Sequence, residues 1–125
     1  MQQAGYRVRA RLSLIIPVAN WREEHTNLLE QLFARVMPDL VTLELLGWMT
    51  VADMKAIFSP SFLDADALQQ AEAAREELSD VPWGPFTQQT HEDIYSFCIA
   101  AVQRLSPQTP VSVCHSTPAT WKALG

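Results

Sequence analysis

The sequence predicts an α/β fold, a partial (β/α) barrel with three parallel strands at about 7–16, 40–47 and 111–115 and helices covering one face. Three observations predict it. From Arg7 to Ile16 the residues alternate, with Val8, Ala10, Leu12, Leu14 and Ile16 on one face and Arg7, Arg9, Arg11, Ser13 and Ile15 on the other. The elements then run strand, helix, strand, helices, strand, helix, the order of parallel strands joined by right-handed crossovers. Finally, three parallel strands make a thin sheet, and helices on one face leave the other to be filled by something else, which favours a segment of a larger barrel.

Met1 to Ala4 followed by Gly5 reads as the last turn of a helix with its C-terminal glycine. After the first strand, Pro17 to Asn20 is a loop, with Asn20 the cap of a helix over about 21–37 and Glu23 and Glu24 in its first turn. Leu28, Leu29, Leu32, Phe33 and Val36 form its apolar stripe. Pro38 stops that helix, and Leu40 to Gly47 is apolar enough for a buried parallel strand, with Glu44 its one charge. Thr50 caps a short helix over 51–58, and Asp53 completes a capping box. The stretch from Asp64 to Leu78 is rich in alanine, glutamine and glutamate with Leu68 and Leu78 its large apolar residues, so it reads as a helix with a thin buried stripe or as an ordered insertion on the surface, and 59–86 is taken as a surface insertion within a single domain over 1–125. Thr90 is expected to open the clearest helix, with Ile94, Phe97, Cys98, Ala101, Val102 and Leu105 on one face until Pro107 and Pro110 end it. Val111 to His115 is the third strand, and Thr117 and Pro118 begin a last helix to about Leu124.

The composition is ordinary for a globular domain, with 48% hydrophobic and 18% charged residues in 125. A net charge of −5 and a pI near 5.0 disfavour non-specific nucleic-acid binding, which depends on neutralising many phosphates with lysine and arginine. The sequence contains no apolar run approaching the roughly 20 residues of a membrane span, and the expected location is the cytoplasm. Cys98 and Cys114 have neither CxxC spacing nor a second pair of ligands, so neither a zinc site nor an iron–sulfur cluster follows from them and no metal ligands are assigned.

In barrels of parallel strands, function gathers at the C-terminal strand ends and the loops after them. That rule selects Ser13, Pro17, Asn20, Trp21, Glu44, Gly47, Trp48, Cys114, His115 and Ser116. Arg9, Arg11 and Glu44 are the expected lining of the polar face, and the first reading of Arg11 with Glu44 is a structural ion pair between adjacent strands. Cys114 and His115 are the candidate catalytic pair, although neighbours on a strand point to opposite faces. His25 and His91 fall in first helical turns and are expected to face solvent, while Trp21 and Trp48 either stack on a flat ligand or cover the rim. GxGxxG, Walker, nucleophile-elbow and HExxH motifs are absent from the sequence.

The stretch AGYRVRARLSLIIPVANWREEHTNLLEQLF resembles a segment of the spore photoproduct lyase family and its relatives among the radical S-adenosylmethionine enzymes. The matching residues are Ala4, Gly5 and Tyr6 before the strand, then Pro17, Trp21, Glu23 and Glu24. VSVCHSTPATWKALG is similar to the closing strand and helix of that family's relatives, through Cys114, Pro118 and Trp121. The likeness spans nearly all of this chain but only the C-terminal part of such an enzyme, and the cluster-binding CxxxCxxC has no counterpart here. For a complete family member the resemblance implies a 4Fe-4S cluster, reductive cleavage of S-adenosylmethionine and repair of a thymine photoproduct in DNA. It further implies that Ser13, Pro17, Asn20 and Trp21 border cofactor or substrate and that Glu44 and Cys114 line the lumen. The expectation for this chain is a half-barrel without the cluster, inactive alone and with no cofactor of its own. It would be completed by an upstream half or by homo-oligomerisation through the exposed strand edge. A small α/β interaction module is the alternative.

Overall fold

The computed structural model describes residues 9–78, 81 and 84–114. Among these residues the architecture is mixed α/β, with three parallel strands in an open sheet and four helices. Strand β1 spans Arg9–Ile15, helix α1 Trp21–Arg35, β2 Leu40–Leu45, α2 Val51–Ile57, α3 Ala65–Ala73, α4 Gln88–Leu105 and β3 Val111–Cys114. The strands lie in sequence order with β2 in the middle, and both pairings are parallel, as the run of elements requires. The last helix expected over 117–124 and the ends at 1–8 lie outside the described residues.

One side of the sheet is apolar and faces the helices. Val41, Leu43, Leu45 and Val113 join a buried core with Leu29 of α1 and Ile94, Tyr95, Cys98 and Val102 of α4. The alternation within β1 carries this pattern as far as Ser13, where the register slips: Ser13 pairs with Glu44, but Ile15 pairs with Leu45. The irregularity turns Ile15 into the core, where it is buried, and corrects the expectation that it shares the arginine face.

Helix α1 buries Trp21, His25 and Leu29, residues four apart on one stripe, and leaves Leu28 half exposed. Asn20 precedes it without a side-chain capping bond; its amide donates instead to Glu24 Oε1 at 3.1 Å. Thr50 and Asp53 form the expected capping box on α2. Helix α4 starts earlier than expected, because Thr87 rather than Thr90 caps it and accepts the Thr90 amide. Thr90 faces inward, donating with Thr87 to Gln70 Oε1 of α3 at 3.3 and 2.8 Å, which ties α3 to the start of α4.

The segment 59–86, expected as a surface insertion, contributes Leu63, Ala67, Ala71 and Phe86 to the core. The buried residues of α3 are the alanines Ala67 and Ala71, four apart, with Leu68 packed beside them, so its buried stripe is thin. A short antiparallel bridge between Val18 and Leu63, with hydrogen bonds from Ala19 N to Phe62 O and from Asp64 N to Pro17 O, fixes the segment over the loop that follows β1. Gly84 is wedged beneath it. A Cβ there would lie 2.5 Å from the Leu78 carbonyl oxygen, so only glycine fits the approach.

At the opposite end of the sheet, Ser106 and Thr109 exchange a 2.7 Å hydrogen bond between their hydroxyls, and Thr109 donates to the Pro38 carbonyl at 3.4 Å. These contacts join the turn after α4 to the turn before β2. Inside the core, the Leu45 amide donates to the buried Tyr95 hydroxyl at 2.8 Å. Tyr95→Phe should therefore destabilise the fold by about 1–3 kcal/mol, the cost of leaving a buried amide without its acceptor. Urea unfolding checks this, and a loss well under 1 kcal/mol would show that the amide finds another partner.

Candidate functional site

The side of the sheet away from the helices carries the polar residues in register. Arg11 pairs with Thr42 and Thr42 with Ser112, and the Thr42 and Ser112 hydroxyls hydrogen-bond at 2.9 Å. One layer further toward the C-terminal strand ends, Ser13 pairs with Glu44 and Glu44 with Cys114, so three expected site residues occupy one line across the backbone of the sheet. Arg11 crosses between these layers: its Nη2 donates to Glu44 Oε1 at 2.9 Å. The carboxylate is nearly buried, at 9% exposure, whereas the arginine side chain is 55% exposed. Arg9 stands exposed two residues before it on the same face.

The loops at the C-terminal ends divide the remaining candidates. Pro17 is fully buried and Asn20 is exposed. Trp21 lies in the core, edge-on to Phe97 at 5.2 Å and to His25 at 6.2 Å, with the Arg22 guanidinium 4.3 Å above its ring. These contacts make Trp21 a packing residue under the rim. Trp48 is 70% exposed and holds φ at 60°, a left-handed conformation that is uncommon for a bulky side chain. His115 and Ser116 lie outside the described residues, as do Ala4, Gly5, Tyr6, Pro118 and Trp121 of the family-like motifs.

Both histidines expected in solvent are buried instead. The His25 Nδ1 donates to the Trp21 carbonyl one turn earlier at 2.6 Å, which places a proton on Nδ1. His91 packs its ring 5.7 Å from Tyr95, and the earlier start of α4 moves it past the first turn. The spacing Trp21, His25, Leu29 was a legible signal for the first; reading histidine as a surface residue hid it.

A cluster does not fit the donors of this chain. Its two cysteines are fewer than the three or four thiolates that hold one, and Cys98 is buried in α4 among core residues. Among the described residues no group of three His, Cys, Asp or Glu side chains is placed to hold a metal ion. Burial pushes the Cys98 thiol up to about 12. Native protein at pH 8 should therefore leave Cys98 unalkylated by iodoacetamide while urea-unfolded protein reacts fully, read by peptide mass at that residue. Because the folded state raises this value above the ordinary thiol range, its contribution to stability is complete below about pH 9 and is lost as pH rises toward 12.

A second feature lies on the helix side of β1. Ala10, Leu12, Ile15 and Ile16 form with Leu28 and Leu32 of α1 a mainly apolar groove of about 430 Å³ beside the outer edge of the sheet, and Arg11 and His25 complete its lining. Among the described residues no strand pairs with that edge. Also among them, no helix is long and apolar enough to cross a membrane. The fold and face define a three-stranded parallel α/β layer with one polar and one helix-covered side. Comparison with family models, curated proteins and solved structures finds no match for the chain.

Proposed function

We propose that this chain is the C-terminal part of a (β/α) barrel enzyme similar to the spore photoproduct lyases, a radical S-adenosylmethionine lyase acting on a DNA photoproduct, and that it does no chemistry by itself. The observation that carries the reading is the outer edge of β1, with which no strand among the described residues pairs, and the mainly apolar groove next to it. In a right-handed β–α–β unit, α1 lies over the gap between β1 and β2. A further unit on the other side of β1 would set its helix beside α1, against Leu12, Leu28 and Leu32. Closing the barrel would turn Arg9, Arg11, Thr42, Glu44 and Ser112 toward the lumen, which suits a polar face that the described helices leave uncovered.

In this reading the upstream half holds the 4Fe-4S cluster and the S-adenosylmethionine, which together supply the 5′-deoxyadenosyl radical. The residues of this chain shape the lumen: Glu44 fixes Arg11, and the Pro17–Asn20 loop forms part of the mouth. Ser13 and Cys114 share the layer of Glu44 and are the residues proposed to border the reacting groups. A small interaction module is the second reading, favoured by the same groove, with the edge recruiting a partner and no catalysis.

The test is anaerobic co-expression with an upstream half from a spore photoproduct lyase carrying CxxxCxxC, followed by iron–sulfide reconstitution. The expected result is a complex that forms 5′-deoxyadenosine with reductant, while the chain alone forms none. A complex that assembles without turnover would favour the interaction module. Absence of any association, with the chain monomeric by light scattering at high concentration, would overturn the barrel reading.

A further inference from the structure

We propose that the groove beside β1 is a binding site for a small apolar molecule carrying one hydroxyl group, an alcohol or a phenol, with His25 Nε2 accepting from that hydroxyl. Three observations on His25 lead there. The residue lies in the lining of the groove yet is only 8% exposed. Its Nδ1 donates to the Trp21 carbonyl at 2.6 Å, and the Trp21 ring stands edge-on to the imidazole at 6.2 Å and 61°, so the protein sets both tautomer and ring plane. Its Nε2, on the far side of the ring from that bond, makes no hydrogen bond among the described residues. The first nitrogen secures the helix; the second is an oriented lone pair at the wall of an apolar space, where polar atoms are as a rule hydrogen-bonded.

The rest of the lining sets the body of the ligand. Leu12 and Ile16 on one side and Leu28 and Leu32 on the other offer aliphatic surface, and 430 Å³ falls within the range of small-molecule pockets, about 300–1,000 Å³. Leu28 is 50% exposed, so a ligand there takes apolar surface out of water. With the proton on Nδ1, a neutral imidazole offers Nε2 as an acceptor and calls for a donor. An ammonium donor would give up its hydration among aliphatic side chains, and an apolar isostere would cover the lone pair without satisfying it. A neutral hydroxyl avoids both losses.

The inference goes beyond the barrel reading and does not rest on it, since the residues it uses belong to β1, the turn after it and α1. A unit packed alongside β1 would compete with the ligand for Leu28 and Leu32, so assembly and binding oppose each other.

The experiment titrates the full 125-residue chain at pH 8, where free imidazole is neutral, with p-cresol and in a separate arm with p-xylene, which has a methyl in place of the hydroxyl. The methyl resonances of Leu28 and Leu32 report occupancy, and the His25 ¹⁵Nε2 resonance reports the hydrogen bond. Saturable binding of p-cresol is expected, with a displacement of the Nε2 signal far larger than p-xylene produces. His25→Phe keeps a ring and removes the acceptor; it should lower the affinity ratio of p-cresol to p-xylene by about fivefold, the worth of one neutral hydrogen bond. Should that variant fail to fold, the Nε2 signal of the wild type decides alone. Absence of saturable p-cresol binding, equal displacement of Nε2 by both compounds, or an unchanged ratio in folded His25→Phe would overturn the proposal. So would a dimer by light scattering whose Leu28 and Leu32 methyls p-cresol does not reach, because a second copy would then be the occupant.

Discussion

Leu43→Ala should lower the unfolding free energy by about 2–5 kcal/mol, the range for deleting a buried leucine and leaving part of the cavity open. Leu43 is fully buried on the middle strand, flanked in register by Leu12 on β1 and Val113 on β3, so neighbours on both sides lose contact at once. The parallel ladder holds the backbone on each side and limits how far the space can collapse. Leu28→Ala on the half-exposed side of α1 is the internal comparison and should cost well under half as much. Guanidinium unfolding of the two variants measures the contrast. Equal losses would mean that the apolar groove at Leu28 is covered in solution.

The second large effect is an asymmetry between the partners of one ion pair. Arg11→Met should cost about 1–3 kcal/mol, because it removes the Arg11 guanidinium from the nearly enclosed Glu44 carboxylate; the arginine's own exposure keeps the loss below that for a fully buried pair. Glu44→Gln should cost about 1 kcal/mol or less, since Arg11 reaches water and an amide oxygen still accepts from it. Urea titration at pH 7 in low and high salt distinguishes them, with the arginine variant the less stable in both. The reverse order would show that Arg11 rather than Glu44 is the desolvated partner.

The run of strands and helices and the two faces of the sheet follow from the order of residues alone. Alternation through Arg9, Arg11, Thr42 and Ser112 on one side and Leu12, Val41, Leu43 and Val113 on the other is a property of side-chain period, and parallel pairing preserves it in register. Local signals also marked Thr50 and Asp53, whose capping box needs only neighbouring residues. The Arg11–Glu44 pair was legible for a similar reason, being the nearest opposite charges on facing strands.

Features that depend on residues distant in the chain came from packing. The slip after Ser13 that buries Ile15 arises where β1 meets Leu45 and Leu46, not from any pattern within β1. Ala67 and Ala71 became core residues because α3, tied through Gln70 to the start of α4, sits against the core where small side chains fill the space, and burial of an alanine leaves no hydrophobic signature in sequence. His25, His91 and Trp21 were drawn inside by the packing of α1 and α4 over the apolar face, where ring contacts and a carbonyl acceptor replace water. The degree to which each member of the ion pair meets solvent was decided in the same way. Residue type sets the charge on a strand, but only the surrounding elements determine whether water reaches it.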